Sequence, residues 1–557
     1  MSDSQAPAPT VADLIVRILE AEGVEYVFGI PGEENIGLID ALNRSSIRYL
    51  LTRHEQAASF MAEIYGRLTG KAGVCSATLG PGAINLQLGV ADATTNSTPL
   101  VALSAQVGLD RIFKESHQVV DLVGLFRPIT KWAELVPGPA AVPEMFRRAF
   151  KVAQTERPGA TYLAVPEDVE AATVPDGVVP LPINRVRAEE PSPIQVRRAA
   201  EILASAKAPI LLAGHGAARD FEGGASDALI KLAEQWDVPV ATTFHGKGVF
   251  PDDHPNALGA VGFMRHDYAN FGFDSADVIV AVGYELQEFD PVKINPNRDK
   301  QIIHVHRFAA EVDDHYPVAV GIEGDIARSL TALGAQVPGP FPNESTAHIR
   351  QLLVDELAKG AADDRFPLAP QRVVADTRAA LDRDDIVLVD TGAAKMWMAR
   401  LYPTFSSNSC LISNGLSTMG FALPGALAAA LVHPDRRILA SVGDGAFLMN
   451  SQEIETAVRE DIPLTVLVWV DDSYGLIEWK MNLELGRHSH VRFKNPDFVK
   501  YAESFGARGY QITSADQLRP ALEEALASGG VSIIACPVDY SENLRLTDRL
   551  GELTEPL

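Results

Sequence analysis

The chain has 557 residues, 22% charged and 46% hydrophobic, the balance of an ordinary globular protein with room for three or four domains of about 150 residues. Its net charge of −25 argues against a nucleic acid or an anionic membrane as partner, since either needs a basic footprint. Three cysteines, Cys75, Cys410 and Cys536, exclude a disulfide scaffold and fit a reducing cytoplasm. The opening MSDSQAPAPT has neither the basic nor the apolar region of a secretory signal. Residues 401–434 carry no Asp, Glu, Lys or Arg, but Pro403, Gly415, Gly420, Pro424 and Gly425 interrupt them, so they read as deeply buried chain rather than a membrane span.

Short apolar strands alternate with amphipathic helices throughout, which predicts parallel α/β layers with ligand sites at the carboxyl ends of the strands. The first block, 1–182, opens with an apolar helix and a strand leading into FGIPGEEN, where Gly29, Pro31 and Gly32 form a tight loop. IRYLL is the next strand, and Glu55 falls in the opening turn of the helix after it. The spacing Thr52-x-x-Glu55 predicts a capping box, and an acid suits the positive end of a helix. A third strand, GVCSATL, carries Cys75 as a small core residue and ends in a Gly-Pro-Gly turn at Gly80–Gly82. The block closes with helix, glycine, strand: MFRRAFKVAQTERPGATYLAVPEDV.

A linker rich in Pro and charge, 175–195, leads to a central block, 193–336. There GHGAAR (214–219) follows the strand PILLA and nearly fits a dinucleotide fingerprint, but it lacks the third glycine and reads as a tight turn. After a second linker, about 337–346, the last block, 366–557, contains LVDTGAAKMW, where a strand ends at Asp390 and Gly392-Ala393-Ala394 opens a helix suited to an anion. It continues with ILASVGDGAFLMNSQEIETAVREDIPLTVLVWVDDSYG. Asp444 ends one strand and Asp471 ends the next, 27 residues on. In a βαβ unit such strand ends can be neighbours, and two carboxylates beside glycines that admit a bulky ligand fit Mg²⁺ with phosphate oxygens. Read alone, both acids could equally cap turns. His488 and His490 lack the further ligands of a metal site and read as surface or pocket residues. The chain ends with the grammar of the first block, LRPALEEALASGGVSIIACPVDY, a hint that first and last blocks share a fold.

Together GIPGEEN (29–35), RHEQAA (53–58), TLGPGAINL (78–86), RPITK (127–131), NGLSTMGFALPGAL (414–427) and GDGAFLMNSQEIETAV (443–458) resemble the thiamine-diphosphate enzymes of the acetohydroxyacid (acetolactate) synthase family, in family order over nearly the whole chain. The resemblance implies a three-domain fold: a pyrimidine-binding domain, a central Rossmann-like domain and a diphosphate-binding domain, each a parallel sheet flanked by helices. It implies that Glu55 bonds the cofactor's aminopyrimidine ring. Asp444 and Asp471 would bind Mg²⁺ with the backbone carbonyl of Ser473. Gly392 and Ala393 would meet the diphosphate, Met419 would wedge under the cofactor, and Gln118 would line the substrate pocket. Pro31, Gly32, Gly415, Ser417, Gly443, Gly445, Ala446, Tyr474 and Gly475 would complete the cofactor site. In this family the two halves meet across a subunit interface, which implies a homodimer or homotetramer. The implied reaction joins two pyruvates to 2-acetolactate with loss of CO₂; the alternative is another 2-oxo acid decarboxylase or carboligase with a different acceptor.

Where the biosynthetic branch carries an Arg-Phe-Asp-Asp-Arg run that binds FAD, this chain reads VGYELQEFDP (282–291), so FAD is not implied. The tail PVDYSENLRL (537–546), Ser116-His117-Gln118 and Asp471 in place of the wider family's Asn resemble the FAD-independent catabolic branch. GDGA replaces GDGG, and Gly-Ala-Ala replaces Gly-Ser-His at 392–394. The loop 475–490 differs from both branches and brings Trp479 towards the substrate channel.

Overall fold

The computed structural model describes residues 8–184, 189–221, 223–262, 267–341 and 346–543. Parts of the opening segment, of both linkers and of the catabolic-like tail (544–546) lie outside these. The chain divides into two compact units, residues up to 187 with 427–432, and residues 188–426 with 433 onward.

The first unit holds a six-stranded sheet: β1 Tyr26–Gly29, β2 Arg48–Leu51, β3 Gly73–Ala77, β4 Leu100–Gln106, β5 Trp132–Leu135 and β6 Ala160–Pro166, in spatial order β2-β1-β3-β4-β6-β5. Every pairing is parallel. Helices cover the sheet, as a parallel sheet requires. Cys75 is fully buried in β3, and burial pushes its thiol pKa far up, so it is a core residue.

The second unit holds two more parallel sheets. The central one comprises β7 Pro209–Ala213, β8 Val240–Thr242, β9 Ala257–Ala260, β10 Val278–Val282, β11 Gln301–His306 and β12 Val318–Glu323, in order β12-β11-β10-β7-β8-β9. Counted from β7 this is 3-2-1-4-5-6, the doubly wound order of dinucleotide-binding folds. Its strands are apolar on both faces: Leu211 and Ala213 enter one core, Ile210 and Leu212 the other.

The last sheet comprises β13 Ile386–Val389, β14 Cys410–Ile412, β15 Ile438–Gly443, β16 Leu464–Val470, β17 Arg508–Gln511 and β18 Val531–Pro537, in order β14-β13-β15-β16-β18-β17. Counted from its own first strand, this order is the same as that of the first sheet. The echo between their closing segments therefore extends to the whole topology.

A helix not anticipated from the sequence, Thr346–Ala361, joins the central and last sheets. Ile349 sits in a core of the central sheet, while Leu353 and Leu357 pack on the core of the last one. Residues 401–434 are mostly buried, and among the described residues no helix is long and apolar enough to cross a membrane.

Candidate functional site

In a doubly wound sheet, ligands bind where the strand order reverses direction, beyond the carboxyl ends of the strands. In the first sheet that point lies between β1 and β3. Gly29 ends β1 so close to its neighbour that a Cβ there would lie 2.1 Å from the carbonyl oxygen of Ser76, and one on Gly32 would run into the Thr78 side chain. Exposed Pro31 sits between them.

Glu55 begins the helix Glu55–Thr69 beside this loop. The predicted Thr52–Glu55 capping box is absent. His54 caps the helix, its Nδ1 accepting from the Gln56 amide at 3.0 Å, while the Thr52 hydroxyl donates to the carbonyls of Gly29 and His54. Freed from capping, half-buried Glu55 accepts from Asn85 Nδ2 at Oε2 (3.0 Å), and its Oε1 faces Gly82, where a Cβ would lie 3.2 Å away. Glu55 in turn acts on Tyr49: burial, with the charge of Glu55, holds that phenol's pKa well above the ordinary range. Gln118 adopts a left-handed φ of 57°, and its backbone packs where a Cβ on Gly80 would go. Left-handed non-glycine residues are uncommon and gather at functional positions. The structure thus brings Pro31, Gly32, Glu55 and Gln118 to the carboxyl end of one sheet, and adds Asn85.

In the last sheet the reversal lies between β13 and β15. Asp390 follows β13 and accepts from the amides of Thr391, Gly420 and Ala422 at 2.7–3.0 Å, pinning the stretch with Gly415, Ser417 and Met419 against the Gly392 loop. Burial outweighs these bonds and raises its pKa to about 6. Gly392 caps the helix Ala393–Leu401 at φ 142°, with nothing near its absent Cβ. Ser417 is left-handed (φ 56°), and Lys395 Nζ reaches its hydroxyl at 3.2 Å.

β15 pairs with β16 up to Gly443 and Trp469, so Asp444 and Asp471 emerge side by side. Asp444 accepts from the amides of Asp471 (3.1 Å) and Asp472 (2.8 Å) at Oδ2, and from Gly445 (2.8 Å) at Oδ1. Burial raises the pKa of both acids. Asp471, with the neighbouring charge of Asp444, rises to about 8. Two carboxylates forced together in this way fit a hard divalent cation, which would relieve their repulsion. Gly443 leaves open space where a side chain would be, buried Ala446 follows, and Gly475 admits the Asp471 carboxylate, 2.5 Å from where a Cβ would stand. Ser473 donates its hydroxyl to Glu478 (2.6 Å), and Tyr474 is partly exposed, packed on Phe493. Tyr540 is an unforeseen neighbour. It stacks on Trp469, and burial with the charges of Asp471 and Asp444 lifts its pKa far up. Trp479 is buried among the core residues of this sheet, which corrects its expected place at a channel. His488 and His490 are exposed.

In the central sheet the reversal lies between β7 and β10, and it is filled. Glu288 places its carboxyl on the start of the short helix His215–Ala218. It accepts from the amides of His215 (3.1 Å to each oxygen) and Glu285 (2.9 Å), and from the Thr243 hydroxyl. A dinucleotide's pyrophosphate takes that position in this topology. GHGAAR is therefore a turn closed on the chain itself, with Gly214 and Gly283 pressed against neighbouring backbone.

Three family models of thiamine pyrophosphate enzymes match the chain: the N-terminal TPP binding domain at 9–125, the central domain at 196–333 and the C-terminal TPP binding domain at 390–536. The chain belongs to the thiamine pyrophosphate enzymes of the acetolactate synthase type. It is 36% identical to a probable acetolactate synthase large subunit of Methanocaldococcus jannaschii, covering 98% of this chain and 94% of the relative. It is 36% identical to a catabolic acetolactate synthase of Raoultella terrigena, covering 97% of each, and 35% identical to an acetolactate synthase of Bacillus subtilis, covering 97% and 96%. The chain thus places one glycine-lined crevice in each of its two terminal sheets.

Proposed function

We propose that the chain condenses two pyruvates to 2-acetolactate with loss of CO₂, using thiamine diphosphate and Mg²⁺ and no FAD. The observation that carries this reading is the pair Asp444 and Asp471 at adjacent strand ends, each with a pKa raised by burial, beside the glycines that clear a crevice. Thiamine diphosphate supplies, when bound, a carbon that can carry the electron pair released by decarboxylation.

The chain's own groups do the rest. Oxygens of Asp444, Asp471 and the Ser473 carbonyl hold the cation, and the amides of Gly392 and Ala393 hold the diphosphate. Glu55 is positioned by Asn85 at Oε2, which leaves Oε1 to exchange a proton with the pyrimidine ring. Gln118 borders the substrate. Support for FAD independence comes from the Glu288 carboxyl, which fills the central crevice where a nucleotide's pyrophosphate would lie.

The two crevices work together between copies of the chain in a homodimer or homotetramer. Exposed Ile84 and Leu88 on the helix after Gly80, and exposed Leu448 and Met449 on the helix Asp444 begins, support such a contact.

Product NMR after incubation with pyruvate, Mg²⁺ and thiamine diphosphate, without FAD, tests the reading. Accumulating 2-acetolactate is the expected result. Acetaldehyde with CO₂ would mean a decarboxylase, and no turnover of pyruvate would move the reaction to another 2-oxo acid.

A further inference from the structure

The segment Val491–Asn495 lies across the loop that follows β16 and is tied to it repeatedly. Tyr474 donates its amide to the Val491 carbonyl, and Phe493 donates to the Asp472 carbonyl, both at 3.0 Å. Ser473 and Arg492 form an antiparallel bridge, and the Arg492 guanidinium donates to the Asp471 carbonyl (3.2 Å) and pairs with Glu478. The Phe493 ring packs on Tyr474 with centroids 5.1 Å apart and closes over Gly445, where a Cβ would lie 3.3 Å from it. At the end of the segment Asn495 Nδ2 donates to Asp444 Oδ2 (2.7 Å) and to Asp472 Oδ1 (2.6 Å). Ionised carboxylates only accept, so the amide nitrogen rather than its oxygen must face them.

The consequence falls on Asp444. Its Oδ2 accepts three bonds, from the Asp471 and Asp472 amides and from Asn495, whereas Oδ1 accepts from the Gly445 amide. The same amide tethers Asp472, which holds a left-handed φ of 53° directly after the second acid. We propose that Asn495 is a positioning residue for the divalent cation: it occupies Asp444 Oδ2, turns Oδ1 to the metal, and keeps the Asp472 carboxylate out of the coordination sphere. This rests on the reading of Asp444 as a metal ligand. Partners of metal ligands commonly set affinity as strongly as this arrangement implies.

The test is the Mn²⁺ dissociation constant, read by the EPR signal of free Mn²⁺ in the presence of thiamine diphosphate, for the unaltered chain, Asn495→Ala, Asn495→Ser and Asp444→Ala. Asn495 is half-buried on the wall of a cleft of about 510 Å³, so truncation widens an opening rather than a core cavity. The thermal midpoint of the metal-free Asn495→Ala protein should therefore stay within a few degrees. The expected result is a roughly 10- to 100-fold weaker Mn²⁺ affinity in Asn495→Ala, with turnover recovered at high Mg²⁺. Asn495→Ser, too short to bridge both acids, should show the same loss and serves if the alanine variant does not fold. Affinity within about twofold of the unaltered chain in both Asn495 variants, with Asp444→Ala binding lost, would overturn the positioning role alone. Retained affinity in Asp444→Ala as well would overturn the metal site itself.

Discussion

At the scale of single residues, two carboxylates are each aimed by an asparagine amide: Glu55 by Asn85 and Asp444 by Asn495. For Glu55 the amide fixes one oxygen, and the proposed proton exchange falls to the other. Glu55→Gln keeps the shape and can still bond Asn85, but it cannot hold a mobile proton. Acetolactate formation should fall by about 10²- to 10⁴-fold with the thermal midpoint little changed. Turnover equal to that of the unaltered chain would remove Glu55 from the acid–base chemistry. That Glu55 starts a helix and that Asp444 and Asp471 follow neighbouring strand ends was legible in the sequence, but their assignment to a site came from the family resemblance and not from local spacing. Their aiming residues were not legible. Asn85 lies 30 positions from Glu55, and Asn495 lies 51 from Asp444, joined only by the fold. Local spacing even misled at Thr52, whose hydroxyl bonds carbonyls instead of the helix it was expected to cap.

At the scale of elements, each sheet has one crevice where its strand order reverses, and the turn chemistry there decides what the crevice can do. In the first sheet glycines let neighbouring chain pack closely around it, in the last sheet Gly392 and Gly443 leave it open, and in the central sheet Glu288 closes it. The helix Gly475–Leu485 shows how narrow the tolerance is. A methyl group on Gly475 would stand 2.5 Å from Asp471 Oδ2 and must displace it. Alanine favours a helix over glycine by about 1 kcal/mol, so Gly475→Ala should not lower the thermal midpoint. It should weaken Mg²⁺ binding roughly tenfold, by isothermal titration, because the displaced acid is a proposed ligand. Unchanged binding would place the cation elsewhere. Alternating strands and helices predicted parallel sheets correctly, and the repeated closing segment predicted the kinship of first and last blocks. The order of strands within each sheet was not legible, because β–α alternation does not say on which side the next strand is added. The helix Thr346–Ala361 escaped because its apolar residues serve two cores, Ile349 one and Leu353 and Leu357 the other, which blurs a single amphipathic face.

At the scale of the whole molecule, buried charge sets where the fold is stable. Arg400 binds Asp267 through both carboxylate oxygens at 2.9 Å, pairs with Glu356 at 2.8 Å and lies over the Tyr268 ring, joining segments of the central sheet, the helix Thr346–Ala361 and the last sheet. Removing one partner strands the other charges in the core, so Arg400→Ala should lower the unfolding free energy by about 3–5 kcal/mol in chemical denaturation. A loss under about 1 kcal/mol would show that the cluster relaxes. Acids whose burial outweighs their partners act through pH. Burial raises Glu63 and Glu170 to about 7, Asp390 to about 6 and, with the charge of Glu285, Glu288 to about 8. Each holds its proton in the fold at a pH where the unfolded chain has lost it. Their stabilisation is complete below the unfolded values near 4 and is lost as pH rises through the folded ones. Glu285 has the opposite sign: burial is outweighed by Arg219, His306 and His215, so its contribution is lost only in acid. The metal-free protein, kept in chelator so that Asp444 and Asp471 bind no cation, should therefore become less stable from pH 5 to 8. Glu288→Gln cannot ionise, and it should reduce that decline by up to one proton's worth, about 1.4 kcal/mol per pH unit, most visibly between pH 6 and 8. If denaturation midpoints of the two proteins ran parallel across that range, Glu288 would be ionised in the fold, and the neutral acid in the central crevice would have to be abandoned.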